Sequence, residues 1–306
     1  MATTENQNKK PRVGDIKERL TSSMSIHDGG FALEYFGYNF TASGLAKKVY
    51  VYPPSELQDN DSRTVSLDGE KLNLFSSALN SKFLSSFRSE RYSLFDVSFR
   101  ESGCANSIGF SFNDIMDFDY IEPEKIFQPF ENCGISFIGD VVKKLQANIF
   151  LYHPKYNPVF MFGLVINNTN LECAKGFVRF DQAEAPTAEE RESIIERIVK
   201  TINHKDSCVK LFTSVAKKLE RLGLTFAFVG VDCYINGSVR FKLYFRCYGE
   251  RDLAKIAEEV SSILSQFGLS GSVQDVFSQP QGGVAAIALS SDSFEDINGV
   301  QLYFYP

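Results

Sequence analysis

The stretch RFKLYFRCYGE at residues 240–250 carries cations on alternate positions. Arg240, Lys242 and Arg246 share this spacing with Tyr244, and apolar residues stand between them. Because strand side chains alternate between two faces, the pattern predicts one apolar face and one basic face that includes a tyrosine. The basic face either lies in solvent, as on many antiparallel strands, or lines a cavity that receives an anion.

The same spacing recurs along the chain, with Lys or Gln two residues before an aromatic residue. The pairs are Lys48 and Tyr50, Lys175 and Phe177, Lys242 and Tyr244, and Gln301 and Tyr303, with a weaker copy at Gly109 and Ser111. Each pair lies in the second strand of a strand-turn-strand pattern, and the copies follow at intervals of roughly 60 residues. We therefore predict five consecutive hairpins.

Amphipathic helices are predicted between the hairpins. Apolar residues at helical spacing mark the ranges 68–90, 140–150, 187–202, 207–224 and 251–269. The third range opens with Thr187 and Glu190 at the spacing of a capping box. The repeating unit is therefore helix, strand, strand, helix.

These units predict an α/β fold of five αββα repeats. Closing ten antiparallel strands into a barrel removes both sheet edges and turns the apolar faces outward, under an outer ring of helices. The lumen then carries the polar and aromatic residues. We assign residues 1–13 to a disordered polar tail and residues 14–306 to a single domain.

The composition excludes several classes of function. The chain has 306 residues, 43% hydrophobic content and a net charge of −6, so binding to nucleic acid or to a membrane surface is not expected. Six cysteines without a CxxC pair and three scattered histidines predict reduced thiols and no metal site. No apolar run is long enough to cross a bilayer, and we expect a cytoplasmic monomer.

The predicted lumen combines cations with aromatic rings. Because desolvated cations are costly, Lys48, Lys175, Arg240 and Lys242 in one chamber predict a multiply charged anion such as a diphosphate. The rings on the same strand faces are Tyr50, Phe177, Tyr244, Tyr303 and Tyr305. Such rings stabilise a carbocation and exclude water, so the combination favours ionisation of an allylic diphosphate.

On these residues and repeats, the sequence resembles the aromatic prenyltransferases of the αββα-repeat type (the ABBA or PT-barrel superfamily) over about residues 30–306. The stretch ending in RFKLYFR is similar to the hairpin of fungal indole prenyltransferases in which an RxKxY strand binds diphosphate, which implies that role for Arg240, Lys242 and Tyr244. The hairpin stands fourth here and third in that family. Either the weak copy at 94–112 is a true repeat, or the barrel is circularly permuted.

Further motifs extend the resemblance. AKGFVRF resembles the KxY strand of the family, with Phe177 in place of tyrosine, and QLYFYP resembles its QxY strand. The resemblance implies that Lys175 and Gln301 bind diphosphate. The first hairpin is similar to that of cyanobacterial peptide prenyltransferases, where a strand glutamate precedes a basic residue, and this implies those roles for Glu34 and Lys48.

The resemblance implies transfer of a dimethylallyl or longer group, such as geranyl, from its diphosphate to an indole or another electron-rich aromatic acceptor. Basic residues hold the diphosphate, rings shield the cation, and a carboxylate removes the proton. Glu34 is the first candidate for that carboxylate and Asp232 the second. The alternative roles are a surface carboxylate for Glu34 and a partner of neighbouring cations for Asp232. We expect no tightly bound cofactor, with Mg²⁺ as a stimulant.

Three other interpretations compete. Asn113, Asp114 and Asp117 have the spacing of an NDxxD magnesium motif, although an acidic loop after the second hairpin explains them better. A non-catalytic barrel that carries an aromatic or prenylated ligand explains the rings but not the repeated cations. A structural repeat protein gives no reason for an aromatic residue after each lysine.

Overall fold

The computed structural model describes residues 32–52, 92–101, 107–114, 159–167, 170–179, 187–249, 251–278 and 282–305. The strands in these ranges are β1 Ala32–Thr41, β2 Gly44–Tyr52, β3 Tyr92–Glu101, β4 Ser107–Asp114, β5 Val159–Asn167, β6 Asn170–Arg179, β7 Leu224–Tyr234, β8 Val239–Cys247, β9 Val284–Ser291 and β10 Gly299–Phe304. The helices are α1 Ala188–Ile202, α2 Asp206–Arg221, α3 Leu253–Gln266 and α4 Val273–Phe277. The predicted tail and the predicted helices over 68–90 and 140–150 lie outside the described residues.

The ten strands form one antiparallel sheet in which each strand pairs with the next in chain order. The sheet curls far enough for β10 to pair with β1, where Phe36 is opposite Phe304 and Gly37 is opposite Tyr303. The five predicted hairpins and the antiparallel sheet with helices are confirmed. The weak copy at 94–112 forms the hairpin of β3 and β4 and is a true repeat.

The outer face of the sheet packs against the helices and forms the main hydrophobic core. On β8 the outer residues are Phe241, Leu243 and Phe245, all buried in this core. A fully buried side chain of this size contributes about 1.5–3 kcal/mol relative to an exposed one. The core therefore uses the apolar half of the 240–250 pattern, and the other half lies on the opposite face, which we call the inner face.

Helix α1 begins with the predicted capping box. The Glu190 backbone N–H donates to Thr187 Oγ1 at 3.3 Å, and the Thr187 N–H donates to Glu190 Oε2 at 2.7 Å. These bonds satisfy two of the backbone groups that a helix start leaves without partners. Helices α1 and α2 pack together, and α2 also contacts β7. None of the helices in the described ranges is long and apolar enough to span a membrane.

Register shifts occur in the first strands of several hairpins. In β1 the shift lies between Leu33 and Tyr35, and in β7 it lies between Phe226 and Phe228. Such a shift adds one residue to one strand and re-aims the side chains that follow. After the shifts, the inner-face residues are Tyr35, Gly37 and Asn39 on β1, and Phe228, Gly230 and Asp232 on β7.

Candidate active site

The inner-face residues form three levels. Each level is the set of residues that occupy one equivalent position in the hairpins. The aromatic level contains Tyr35, Tyr50, Phe177, Phe228, Tyr244 and Tyr303; the lysine level contains Lys48, Lys175, Lys242 and Gln301; the aspartate level contains Asn39, Asp232 and Arg240. Strands alternate their side chains, so levels two residues apart on one strand are adjacent in space. The cations predicted to bind diphosphate are thus brought next to the predicted rings.

Asp232 forms the tightest polar contacts of the described inner face. Its Oδ2 accepts from Arg240 Nη2 at 2.6 Å and from Arg240 Nε at 3.1 Å, and it lies 2.6 Å from Lys242 Nζ. Asp232 is completely buried, and its Oδ1 has no hydrogen-bond partner within the described part of the chain. Burial alone would raise the pKa of Asp232, but the charges of Lys242, Arg240 and Lys175 outweigh it and hold the pKa well below its usual range.

The low pKa bears on the predicted role of Asp232. A carboxylate stabilised by two ion pairs has little affinity for a proton, so it is a weak general base. The contacts fit the alternative role weighed from the sequence, that of a partner for neighbouring cations. Burial would lower the pKa of Arg240, but Asp232 opposes it and the pKa is raised. The Arg240 guanidinium also lies 5.4 Å from the Tyr234 ring centroid.

The lysines are held in an environment that disfavours their charge. Burial lowers the pKa of Lys242 to about 8, although Asp232 opposes the shift. Burial also lowers the pKa of Lys48, and the charges of Lys175, Lys242 and Arg240 lower it further. The strand register brings these cations together, because Asp232 is opposite Lys175 on one side and opposite Arg240 on the other. Because an anion would offset both effects, the lysine level is suited to binding one.

A chain of ring contacts runs across the aromatic level. Phe228 stacks on Tyr244 with ring centroids 4.1 Å apart, and Phe177 lies 6.1 Å from Tyr244. The chain continues from Tyr244 to Tyr303 at 6.2 Å and from Tyr303 to Tyr50 at 5.4 Å. Rings at these separations interact favourably beyond their burial and form one continuous aromatic wall.

The tyrosine hydroxyls of this wall are linked to the lysine level. Gln301 Nε2 donates to Tyr50 Oη at 2.9 Å, and Tyr303 is hydrogen-bonded to Tyr50 and Tyr244. Burial raises the pKa of Tyr244 and Tyr303 well above its ordinary value. These groups therefore stay neutral and keep their hydroxyl protons at physiological pH.

Two rings of the wall are not among the residues predicted from the sequence. Phe228 lies on β7 with its ring against Phe177 and Tyr244, and alternation back from Asp232 would have identified it. Tyr35 lies 6.4 Å from Tyr303. It follows the register shift in β1, and a shift of this kind has no signal in the alternation of residue types.

Tyr305 and Glu34 are the remaining predicted residues. Tyr305 contacts Tyr35 at a centroid distance of 5.6 Å and is 46% exposed, so it lies at the open end of the aromatic wall. Glu34 belongs to β1 at the register shift itself, and the structure describes its backbone but not its side chain. Its role as proton acceptor stays a prediction.

The magnesium motif weighed from the sequence is placed differently from its helical counterpart. Asn113 and Asp114 lie at the end of strand β4 and pair with β3, while Asp117 is outside the described residues. Within the described ranges, no group of three or more His, Cys, Asp and Glu side chains could hold a metal ion. We therefore assign no residue as a metal ligand.

No protein-family model and no curated protein matches the chain. Solved structures do resemble it. AnaPT from Neosartorya fischeri is 13% identical, with a TM-score of 0.55 over 92% of this chain and 79% of that chain. The 6-dimethylallyltryptophan synthase from Micromonospora olivasterospora, in complex with DMASPP and Trp, is 13% identical, with a TM-score of 0.52 over 92% and 84%. NotF prenyltransferase is 11% identical, with a TM-score of 0.50 over 92% and 82%.

At 11–13% identity, these likenesses establish a shared fold and not a shared substrate. They extend along nearly the whole chain and cover most of each matched protein. The chain has the αββα-repeat fold of aromatic prenyltransferases, as the resemblance of its motifs implied.

Proposed function

We propose that the protein transfers a prenyl group from an allylic diphosphate to an electron-rich aromatic acceptor. The observation that carries the proposal is the adjacency of the lysine level and the aromatic wall. The lysines at equivalent positions of β2, β6 and β8 are two residues before Tyr50, Phe177 and Tyr244, so each lysine and its ring are neighbours on the same face. A diphosphate held by the lysines would place its allylic carbon against the rings.

The charges of the inner face support the donor half of the proposal. The four cations Lys48, Lys175, Arg240 and Lys242 all interact electrostatically with the carboxylate of Asp232 or with one another. A diphosphate would offset the excess of positive charge. Its oxygens would accept hydrogen bonds from the ammonium groups and from Gln301, and these contacts stabilise the diphosphate as a leaving group.

The aromatic wall supports the second part of the proposal, the formation of an allylic carbocation. Ionisation breaks the bond between the allylic carbon and a diphosphate oxygen, and the electron pair leaves with the diphosphate. The quadrupoles of Tyr50, Phe177, Phe228, Tyr244 and Tyr303 would stabilise the resulting carbocation. Because the rings also exclude water, the cation would survive long enough for the acceptor to attack it.

The last part of the proposed reaction is attack by the aromatic acceptor and loss of its proton. A nucleophilic atom of the arene forms the new bond to the allylic carbon, and the proton that it loses passes to a base. Glu34 remains the proposed acceptor of that proton. Asp232 is assigned to hold Arg240 and Lys242 in place, because both cations use its Oδ2. The products are the prenylated arene and diphosphate.

The class of acceptor rests on the fold likeness together with the sequence motifs. One matched structure is a dimethylallyltryptophan synthase with DMASPP and Trp bound, which makes dimethylallyl diphosphate and an indole the first pair to test.

The proposal includes the complete barrel of five repeats with helices outside every hairpin, a single domain over residues 14–306, and a monomer. Mg²⁺ is included in the assay because it could stimulate the reaction through diphosphate.

The test is to incubate the purified protein with dimethylallyl, geranyl or farnesyl diphosphate and a panel of indoles, phenols and cyclic peptides, with and without Mg²⁺. Mass spectrometry should detect a prenyl mass increment that Lys242→Ala abolishes. Lys200→Ala is the matched control, because Lys200 is 47% exposed on α1 and pairs with Glu196. No product from any donor, together with retained binding of prenyl diphosphates, would support the ligand-carrier alternative.

A further inference from the structure

The inner face contains a row of small residues that the chemistry above does not explain. The first strand of each hairpin has a Gly, Ser or Ala at the lysine level: Gly37 on β1, Ser98 on β3, Gly163 on β5, Gly230 on β7 and Ala288 on β9. We call these five residues the small-residue belt. One such residue would be unremarkable on base rates, but all five hairpins share the feature.

Each belt residue has the same two kinds of neighbour across the sheet. On one side is the lysine-level residue of its own hairpin, which is Lys48, Gly109, Lys175, Lys242 or Gln301. On the other side is the aromatic-level residue of the adjacent hairpin, which is Tyr303, Tyr50, Ser111, Phe177 or Tyr244. At Gly37 and Gly230 these neighbours are a lysine on one side and an aromatic ring on the other, so the belt is most crowded at these two residues.

Space, and not backbone conformation, explains the glycines at two of these positions. A Cβ atom built on Gly230 would lie 2.9 Å from Phe177 Cδ1 and 3.1 Å from Tyr244 Cε2, and one on Gly37 would lie 2.9 Å from Tyr50 Cε2. Neither glycine has the positive φ that only glycine adopts readily. A glycine inside a strand weakens it, so its presence here indicates that the rings need the space.

The core side of β7 resists movement of the strand at Gly230. Val229 and Val231, its neighbours on β7, are fully buried in the outer core, so the strand cannot retreat from the inner face. Phe228 stacks on Tyr244 at 4.1 Å and closes the gap along the wall. A methyl group at Gly230 would therefore push the rings of Phe177 and Tyr244 away from β7 on the inner face.

We infer that the small-residue belt determines the length of prenyl chain that the protein accepts, by setting how far the aromatic wall projects over the lysines. The inference rests on the proposed function and deepens it. The three atoms nearest to a methyl at Gly230 all belong to Phe177 and Tyr244, so the change acts first on the rings and not on the lysines that would hold the diphosphate. The belt thus separates recognition of the diphosphate from recognition of the chain.

Isothermal titration calorimetry of Gly230→Ala tests the inference without requiring turnover. The ligands are inorganic diphosphate and dimethylallyl, geranyl and farnesyl diphosphates. We expect unchanged affinity for inorganic diphosphate and a loss of about tenfold for the longest chain that the wild type binds, the discrimination typical of one methyl group in an apolar pocket. Gly283→Ala is the matched control, because a Cβ there meets no atom within 4 Å.

A second variant separates projection of the wall from general damage. Phe177→Leu in the Gly230→Ala background removes the ring edge that the methyl displaces, and binding of the longest chain should be restored. An equal loss for inorganic diphosphate and every prenyl diphosphate, or no rescue, would overturn the inference. If Gly230→Ala changes chain-length discrimination but no product forms with any donor, the inference stands and the proposed transfer is refuted. If product forms but discrimination in Gly230→Ala is unchanged, the transfer stands and the inference is refuted.

Discussion

The first and fourth hairpins have a lysine at the same repeat position, but only the fourth hairpin has a carboxylate beside it. In the β7–β8 hairpin, Lys242 is opposite Gly230, and the next inner pair along the strands is Asp232 with Arg240. The carboxylate lies 2.6 Å from Lys242 Nζ. This hairpin therefore carries its own counter-ion for the lysine.

The β1–β2 hairpin has no such carboxylate at the equivalent position. Lys48 is opposite Gly37, and the next inner pair is Asn39 with Ala46. The neutral amide of Asn39 stands where the other hairpin has Asp232, and the charges that act on Lys48 come chiefly from other cations. The fourth hairpin thus holds a cation ready in an ion pair, and the first holds one that a bound anion would stabilise.

The largest expected effect comes from removing the counter-ion. Asp232→Ala leaves Arg240 and Lys242 in a buried site without a carboxylate, and breaking a buried ion pair in this way costs about 3–5 kcal/mol. Urea denaturation should show that loss in the free energy of unfolding. Asn39→Ala is the control at the equivalent position, and a similar loss in both variants would refute the distinction between the hairpins.

The second prediction concerns the two lysines themselves. Lys48→Met should maintain or raise the free energy of unfolding, because it removes repulsion from Lys175 and Lys242. The same variant should weaken binding of inorganic diphosphate by about 1.5–3 kcal/mol, the value of a hydrogen bond to a charged group. Lys242→Met should weaken binding and also lower stability, since Asp232 loses a partner. Calorimetry and denaturation of both variants would show whether their stability changes differ in sign.

A pH titration gives the third and smaller effect. Burial lowers the pKa of Lys242 to about 8, so this ammonium loses its proton as pH rises through that value, well before an exposed lysine would. The proposed binding of diphosphate by Lys242 needs the protonated form. Affinity should therefore fall as pH rises from 7 to 9, by up to about tenfold per pH unit above 8.

Lys242→Arg provides the control for that titration, because a guanidinium stays charged throughout the range. The decline contributed by Lys242 should disappear in this variant. A decline of the same size in Lys242→Arg would assign the pH dependence to another group, and the altered pKa of Lys48 makes that lysine the next one to replace.

Much of the fold was readable from the sequence because each hairpin repeats a period of two residues. The alternation in RFKLYFR correctly separated the core residues Phe241, Leu243 and Phe245 from the inner-face residues. The capping box at Thr187 was equally visible, since both of its side chains are local in sequence. Local patterns of this kind need no knowledge of distant contacts.

The site was less predictable because its properties depend on contacts between hairpins. The sequence offered two roles for Asp232, and the 2.6 Å contacts with Arg240 and Lys242, which favour a cation partner over a base, could not be read from it. Tyr35 was missed because a register shift precedes it. The small-residue belt was missed because Gly230 and Phe177 are distant in sequence and meet only through the pairing of β6 with β7.

The smallest predicted effect concerns the hydrogen bond that links the first hairpin to β10. Tyr50→Phe removes a hydroxyl that accepts from Gln301 Nε2 at 2.9 Å and is also hydrogen-bonded to Tyr303, and Gln301 is buried. Leaving that donor without its partner should cost about 1 kcal/mol and lower kcat/KM about fivefold. Tyr248→Phe, at a 43% exposed tyrosine just after β8, should change neither value. An unchanged kcat/KM in Tyr50→Phe would mean that the ring alone matters in the first hairpin, so that Gln301 contributes to the site without help from Tyr50.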